Sequence, residues 1–459
     1  MKENYSTHLS KTWKLAYPIC LSQLAHVMVG VADSVMVGNY GGAGSASGTL
    51  SLAAASLANG VFSVILVFGI GVSFAISPLV ASADGENNVN KINELLKHSI
   101  LVCTLFGLFL FVVLFLGSPA FRFLGQPEEV INLAIPYFNI LVFSMLPLMV
   151  FLAFKQFAEG LSFTKKTMIF SIAANLVNVF FNYLLIYGKM GFPAMGLNGA
   201  GWATFISRLL MALAMIYYVY NASIFIPYRN GFSFKNYSLK IIYKILRLGI
   251  PTGFQFTFEV GAFAFAAIMI GWIGSVELAS HQIAISLASI TYMLASGISA
   301  ATTVRVGNQL GTGNSAGLRM AGFSGFSMSF AFMLIAACFF IVFRNYLPPL
   351  FNQQQEVINL ASSLIVIAAL FQLSDGIQVV GLGVLRGMSD VKIPTLITLV
   401  AYWVLALPFA YLLGFTFKLG AKGIWLGLLT GLTIAAVLLF LRFYNKSKTV
   451  GTKRIINSS

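Results

Sequence analysis

The sequence is divided into apolar runs that are each long enough to cross a lipid bilayer. A membrane-spanning helix needs about 20 predominantly apolar residues, and twelve such runs follow one another along the chain. Their predicted limits are residues 15–38, 47–80, 95–117, 130–158, 166–188, 197–220, 248–273, 278–306, 316–343, 357–387, 393–415 and 421–443. The pattern therefore predicts an all-α integral membrane protein with twelve transmembrane helices.

Composition excludes a soluble globule. Of the 459 residues, 58% are hydrophobic and only 9% are charged, which is too little polar surface to cover a water-soluble fold of this size. The formal net charge is +15, but the basic residues fall between the apolar runs, so nucleic acid is not expected as a partner. The first run is too long for the apolar core of a cleaved signal peptide, and we expect it to be retained as a spanning helix.

The basic residues are distributed unevenly between the two sides that twelve spans would define. An even number of helices places both termini on one side, and 22 of the 28 Lys and Arg residues fall on that side. The opposite side has only Arg122, Lys189, Arg344, Lys418 and Lys422, and Arg208 lies inside the sixth run. Because cytoplasmic loops are enriched in Lys and Arg, we expect a multi-pass protein of the cell inner membrane with both termini in the cytoplasm.

Cysteine and histidine usage does not suggest a disulfide framework or a metalloenzyme. Cys20, Cys103 and Cys338 all lie within apolar segments, and the four histidines lack metal-ligand spacing. The sequence also lacks a Ser/His/Asp set and a phosphate-binding loop. We therefore predict neither an enzyme nor a bound cofactor, and any transport is expected to be secondary rather than driven by ATP.

The two halves of the chain repeat. The longest polar stretch, residues 221–240, separates an N-terminal lobe of six predicted helices (1–220) from a C-terminal lobe of six (241–459). Small residues recur in both lobes in the same order: Gly71 with Gly297, Gly85 with Gly311, Gly160 with Gly387, Ser162 with Ser389, and Leu197 and Gly201 with Leu419 and Gly423. The match predicts two pseudo-symmetric six-helix bundles in the same orientation, with a substrate site near the bilayer midplane between them.

Three carboxylates lie deep inside apolar runs: Asp33 in the first, Glu259 in the seventh and Asp375 in the tenth. A charged side chain in hydrocarbon is costly unless it is paired, hydrated or protonated, so such a residue indicates an ion or substrate pathway. For Asp375, followed by Gly376, a cap at a kinked helix is the structural alternative. Two further carboxylates in similar surroundings favour the functional interpretation.

Other polar residues accompany these carboxylates. Asn178 and Asn182 are four residues apart and share one helix face, and Glu159 lies near the end of the fourth run. Carboxylate and amide oxygens suit a hard cation such as sodium, and they equally suit a proton. The alternatives are interhelical hydrogen bonds for the two Asn residues and a solvated helix end for Glu159. Possible cavity-lining residues are Gln282, Gln378 and Phe371.

At these residues the chain resembles the multidrug and toxic compound extrusion (MATE) transporters, in particular their NorM-like branch. The motifs that carry the resemblance are VADSVMVG at the end of the first run, FNYLLIYG in the fifth, FEV in the seventh, ASHQIA in the eighth and SDGIQVVGLGVLRG in the tenth. The match extends over nearly the whole chain, and the tenth-run motif is the most specific.

The resemblance implies roles for these residues. Glu259 and Asp375 would be the carboxylates of the C-terminal lobe that couple cations and bind substrate, and both would bind sodium if the protein is sodium-coupled. The N-terminal lobe would carry a cation site at Asp33, Asn178, Asn182 and Glu159. Position 159 departs from the family pattern, because it is Glu where Asp is expected.

We therefore predict a monomeric secondary antiporter in the lipid bilayer that exports small organic cations or drugs in exchange for sodium or protons. The alternative, a flippase for lipid-linked sugars, would require basic residues in the central cavity to hold a pyrophosphate. Arg208 is the only well-buried basic candidate in the sequence, and the deep charges are acidic. A membrane sensor or a lipid-modifying enzyme would require an additional domain or a catalytic set.

Overall fold

The computed structural model describes residues 4–41, 46–123, 125–229 and 236–457. In these ranges, twelve helical segments are long and apolar enough to cross a membrane, and we number them spans 1 to 12. Their bounds are Tyr5–Gly38, Ser47–Gly85, Val89–Phe123, Glu128–Gly160, Thr164–Tyr187, Leu197–Asn221, Leu239–Gly271, Ser275–Thr312, Ser315–Phe343, Gln355–Gly387, Lys392–Thr416 and Gly420–Thr449. Each predicted run corresponds to one span, which confirms the all-α membrane fold.

Among the bounds of the spans themselves, the largest errors are at the starts of spans 1 and 7. These helices begin at Tyr5 and Leu239, about nine to ten residues before the predicted starts at 15 and 248. Counting apolar residues detects only the part of a helix that suits hydrocarbon, whereas backbone hydrogen bonding continues into the polar interface. The helix of span 12 likewise continues to Asn457.

Several spans are interrupted. Span 2 consists of helices Ala46–Ser73 and Ile76–Gly85, and span 4 consists of Glu128–Phe143 and Met145–Gly160. Span 3 is helix Val89–Gly117 followed by the 3₁₀ turn Ser118–Phe123. Short helices outside the spans are Ser223–Phe225, Ile226–Arg229 and Pro348–Leu350.

Span 11 is wound irregularly. It begins as α-helix Lys392–Leu399, loosens to π-helix over Val400–Ala406, tightens over Leu407–Tyr411 and loosens again over Leu412–Thr416. Such π segments change the direction in which neighbouring side chains point. Within the first one, Tyr402 is fully buried, whereas the next residue, Trp403, is 40% exposed and donates its indole N–H to the Phe258 carbonyl at 2.9 Å.

The chain forms two compact units. Unit 1 contains Met1–Gln23, Ala81–Asn87 and Phe254–Ser459, and unit 2 contains Leu24–Val80 and Asn88–Gly253. The first halves of spans 1 and 7 are therefore assigned differently from the predicted lobes, and the division at 1–220 and 241–459 stays a prediction. Of the predicted inter-lobe loop, residues 230–235 lie outside the described residues.

The first halves of spans 1 and 7 make equivalent contacts. In unit 2, a Cβ added at Gly71 of span 2 would meet the backbone of Gly253. In unit 1, a Cβ added at Gly297 of span 8 would meet the backbone of Cys20. Gly71 and Gly297 were matched in the sequence, and each lets a neighbouring helix approach to backbone contact.

Backbone turns confirm the internal repeat. Ser162 after span 4 and Ser389 after span 10 both adopt positive φ, of 69° and 56°. Each donates its N–H three residues back, to Glu159 and Arg386 respectively, at 2.8 Å in both cases. Because non-glycine residues rarely adopt this conformation, two matched instances indicate a shared local structure.

Candidate functional site

A cavity of about 250 Å³ lies within unit 1 and is lined by three spans. Its lining residues are Glu259, Val260 and Phe263 of span 7; Ile285, Ala288, Ser289, Tyr292 and Met293 of span 8; and Phe371 and Asp375 of span 10. Within each span these positions follow the three- and four-residue spacing of one helix face. The cavity is therefore built from the facing sides of three helices.

Glu259 and Asp375 are the acidic groups of this cavity, and they interact electrostatically with each other. Their side chains are only 3% and 4% exposed. In the described part of the chain, Asp375 accepts no hydrogen bond and forms no ion pair. Two carboxylates in apolar surroundings favour binding of a positive charge, because a cation or a proton removes their mutual repulsion.

Two polar groups border the carboxylates. Gln378, one turn after Asp375, is fully buried, and its amide nitrogen has no hydrogen-bond partner among the residues described. The Tyr402 hydroxyl donates to Gln378 Oε1 at 3.3 Å. Tyr402, which lies in the first π segment of span 11, is therefore linked to the surroundings of the acidic pair through Gln378.

Arg386 is a further charged residue near Glu259. Arg386 is one of the 22 basic residues that the sequence places on the side of the termini, but its side chain is 6% exposed and its guanidinium lies 5.5 Å from the centre of the Phe256 ring. It also interacts electrostatically with Glu259. The two carboxylates and one guanidinium leave this region with an excess of negative charge when both acids are ionised.

Aromatic rings close one side of the cavity. Phe371 packs edge-on against Phe263, with ring centres 5.8 Å apart, and against Trp425 at 5.9 Å. The Trp425 indole N–H donates to His281 Nδ1 at 3.1 Å. Phe371 was predicted to line a cavity, and its neighbours hold the ring in place.

Gln282 was also predicted to line a cavity. It is exposed, next to the buried His281, and is absent from the lining of the cavity around Glu259 and Asp375. The reason is helical geometry, since adjacent residues point about 100° apart and His281 faces inward to Trp425. Gln378 lies behind the lining rather than in it.

A second polar cluster lies in unit 2. The Asn182 amide donates to Asp33 Oδ1 at 2.5 Å and to Asn178 Oδ1 at 3.1 Å. Thr204 of span 6 donates to Asp33 Oδ2 and receives the Asn178 amide, both at 3.4 Å. Spans 1, 5 and 6 thus bring together three of the four residues predicted for this site and add Thr204.

The carbonyl oxygen of Asn182 gives this cluster an open position. Asn178 and Asn182 are fully buried, yet Asn182 Oδ1 has no hydrogen-bond partner in the structure described. A buried acceptor without a donor is costly, and a cation would satisfy it. The oxygen atoms that could ligate the cation belong to carboxylate, amide and hydroxyl groups, which suit sodium.

Glu159 takes no part in the hydrogen bonds described for the Asp33 cluster. Its side chain is 3% exposed and pairs with Lys155 one turn earlier, at 3.8 Å. None of the hydrogen bonds of Asp33 involves Glu159. Nor do the described residues contain any group of three or more His, Cys, Asp or Glu side chains placed to hold a metal ion.

Sequence reasoning missed Tyr292, Thr204 and the inward placement of Arg386. Tyr292 could have been found from helix periodicity, because it lies seven residues after Ile285 on the cavity face of span 8. Thr204 gives no sequence signal, since an isolated Thr in an apolar helix usually bonds to its own backbone. In the sequence, Arg386 has the position of a residue at the membrane interface. Its side chain is long enough to place the guanidinium over the Phe256 ring in the protein interior.

Comparison with known proteins identifies the family. A family model described as MatE matches residues 18–184 and 251–412. The chain belongs to the MatE family. This MatE chain is 33% identical over 447 residues to "Multidrug resistance protein MdtK" of Yersinia pseudotuberculosis, covering 96% of each chain.

Solved structures share the fold of this MatE chain. A eukaryotic MATE transporter superimposes with a TM-score of 0.87 at 20% identity, over 98% of this chain and 100% of its own. A multidrug resistance MATE family transporter in an outward-facing conformation gives a TM-score of 0.86 at 21% identity, over 96% of each chain. At these identities the likeness concerns the fold alone.

Proposed function

We propose that this protein is a secondary antiporter, not an enzyme, that exports organic cations or drugs in exchange for sodium or protons. Membership of the MatE family and the multidrug-resistance relative support the class of function. The observation that carries the proposal is the pair Glu259 and Asp375, which face one largely apolar, aromatic-edged cavity. A cationic, partly aromatic solute matches both the charge and the surface of that cavity.

The exchange would work by competition for negative charge. A drug cation or the coupling ion can neutralise Glu259 and Asp375, and simultaneous occupancy is disfavoured by repulsion between the two ligands. A ligand changes the conformational equilibrium only through different affinities for the two states. Binding of the coupling ion from outside must therefore favour the conformation that releases the drug.

Asp33, with Asn178, Asn182 and Thr204, is proposed as a second cation site. Its support is the orphaned Asn182 carbonyl and the concentration of oxygen donors around one carboxylate. Glu159 is proposed to act only indirectly, through its pairing with Lys155. The carboxylate and amide oxygens of the Asp33 cluster suit sodium and a proton equally.

We further propose a monomer in the inner membrane with both termini cytoplasmic. The unequal distribution of basic residues supports the orientation. Each polar cluster is built within one unit of one chain, so no second copy is needed to complete it. The flippase alternative is not favoured, because the cavity is lined by carboxylates rather than by cations.

The test is efflux of a fluorescent cationic dye from proteoliposomes with an imposed sodium or pH gradient, comparing wild type with Asp375→Asn. Efflux driven by one gradient and lost in the variant would support the proposal and identify the ion. Undiminished efflux by Asp375→Asn under both gradients would remove that residue from the mechanism. Absence of dye movement in wild type would favour a different substrate class.

A further inference from the structure

Arg208 is an intramembrane cation that the antiport cycle described above does not use. It lies in span 6, four residues after Thr204, and so on the side of that helix that carries the Asp33 cluster. Its guanidinium interacts electrostatically with Asp33. Ionisable residues inside transmembrane segments are rare and costly, so Arg208 requires an explanation.

Two contacts anchor the guanidinium, and neither of them involves Asp33. Arg208 Nη1 donates to Ser144 Oγ at 2.6 Å, and the guanidinium lies 5.4 Å from the centre of the Phe62 ring. Ser144 is fully buried at the break between the two helices of span 4. No ion pair joins Arg208 to any carboxylate among the residues described. The positive charge is therefore anchored near the Asp33 cluster without occupying it.

The other charged and titratable groups around Arg208 are accounted for. Tyr137 and His26 interact with it electrostatically. Lys155, which also acts on His26, is paired with Glu159. In unit 2, Asp33 is thus the carboxylate on which the charge of Arg208 acts.

We propose that Arg208 is a fixed counter-charge that sets the affinity of the Asp33 cluster for the coupling cation; this rests on the proposed cation site. A lone carboxylate with amide oxygens in low dielectric would hold a cation strongly. A transport site must bind firmly enough to load but weakly enough to release. An anchored positive charge nearby weakens binding without competing for the donor atoms.

The test measures dye efflux from proteoliposomes as a function of the driving cation, in a sodium titration and in a pH titration. Arg208→Gln is expected to lower the half-saturating cation concentration about tenfold, at the low end of the effect of an opposite charge on a carboxylate. It should also lower the maximal rate, because release slows. Arg208→Lys keeps the charge and should stay close to wild type.

A second variant should shift the affinity in the opposite direction. Ser144→Ala removes the hydrogen bond that anchors the guanidinium at Ser144. Arg208 can then approach Asp33, and the half-saturating cation concentration should rise. If Arg208 had a purely structural role, Arg208→Gln and Ser144→Ala would change the half-saturating cation concentration in the same direction. Arg122→Gln, which removes an exposed charge from the same unit, is the matched control and should leave the curve unchanged.

The outcomes separate this inference from the function on which it rests. If Asp33→Asn abolishes ion-dependent efflux while folded Arg208→Gln and Ser144→Ala leave the half-saturating concentration unchanged, the role of Arg208 is wrong and the cation site stands. If Asp33→Asn keeps full ion dependence, the site itself is wrong. Shifts of the same sign in Arg208→Gln and Ser144→Ala would also overturn the counter-charge.

Discussion

Gly85 and Gly311 pack reciprocally at the ends of spans 2 and 8. A Cβ on Gly85 would collide with the carbonyl oxygen of Asn308, and a Cβ on Gly311 would collide with that of Ser82. The internal repeat relates Gly85 to Gly311 and Ser82 to Asn308, so it exchanges the two contacts. A hydrogen bond from the Asn308 amide to Asp84, at 3.0 Å, also joins the two helix ends. The two repeat-related helix ends thus meet backbone to backbone, which only glycine permits.

Gly311→Ala is therefore expected to destabilise the protein. The added methyl group meets backbone rather than a flexible side chain, so the helices must separate, at a cost of about 1–3 kcal/mol. Thermal unfolding in detergent measures the effect. Gly117→Ala is the matched control, because a Cβ at Gly117 meets nothing within 4 Å. Equal unfolding temperatures for the two variants would contradict the tight contact.

Glu259→Gln and Asp375→Asn are each expected to reduce ion-driven efflux of a cationic dye at least about tenfold, within the usual range of coupling energies. Either substitution removes half of the negative charge that the drug and the coupling ion share. Glu356→Gln, on the same span as Asp375 but exposed at its start, is the control and should transport normally. Comparable losses in all three variants would indicate a general structural effect.

The twelve spans and the polar positions within them could be predicted from sequence, because hydrocarbon excludes charge and makes both patterns visible. The register of the repeat could not be predicted everywhere. Gly201 was matched with Gly423 in the sequence. In the structure, a Cβ added at Gly423 would meet the backbone of Leu413 in the preceding span. The glycine of the first repeat that makes the equivalent contact is Gly199, whose added Cβ would meet the backbone of Leu185. In a Gly-rich helix start, small residues alone leave the alignment ambiguous by two positions.

Which polar residues meet depends on helix rotation and on side-chain length, which sequence does not specify. Asp33 and Asn182, which were predicted to share a site, are hydrogen-bonded to each other, whereas Glu159, predicted for the same site, pairs with Lys155. Arg386 reaches inward because its side chain is long, which a count of loop charges cannot detect. The π segment that contains Tyr402, which bonds to Gln378, likewise has no clear sequence signature.

Tyr402→Phe is expected to lower stability by about 1–2 kcal/mol, because it leaves the buried Gln378 carbonyl oxygen without its donor. The ring and its packing against Phe263 remain, so the effect isolates the hydroxyl. Tyr411→Phe, half-exposed on the same span, is the control. Thermal unfolding of the two variants side by side decides the matter; a loss in Tyr411→Phe as large as that in Tyr402→Phe would remove the assigned role of the hydrogen bond.

Asp390, in the turn between spans 10 and 11, should make stability depend on acid pH. Burial raises the pKa of this carboxyl, but hydrogen bonds from Arg442 and Lys446 outweigh burial and hold the pKa below its ordinary value of 3.8. Arg442 donates twice, at 2.8 and 3.1 Å, and Lys446 pairs at 2.8 Å. Because the folded-state pKa is the lower one, this stabilisation is complete above the unfolded-state pKa and is lost as pH falls through the folded-state value.

Asp390→Asn should therefore be less stable than wild type by about 1–2 kcal/mol at neutral pH. This is the contribution of a charge-assisted hydrogen bond, reduced because Arg442 and Lys446 are partly exposed to solvent. The difference should begin to shrink below about pH 4, where the carboxylate of the unfolded chain becomes protonated, and should shrink further as pH falls through the lower folded-state pKa. Thermal unfolding of both proteins from about pH 7 to about pH 3 measures it, with the exposed Glu129→Gln as control. A difference that stays constant over that whole range would show that Asp390 stabilises the turn through shape rather than charge.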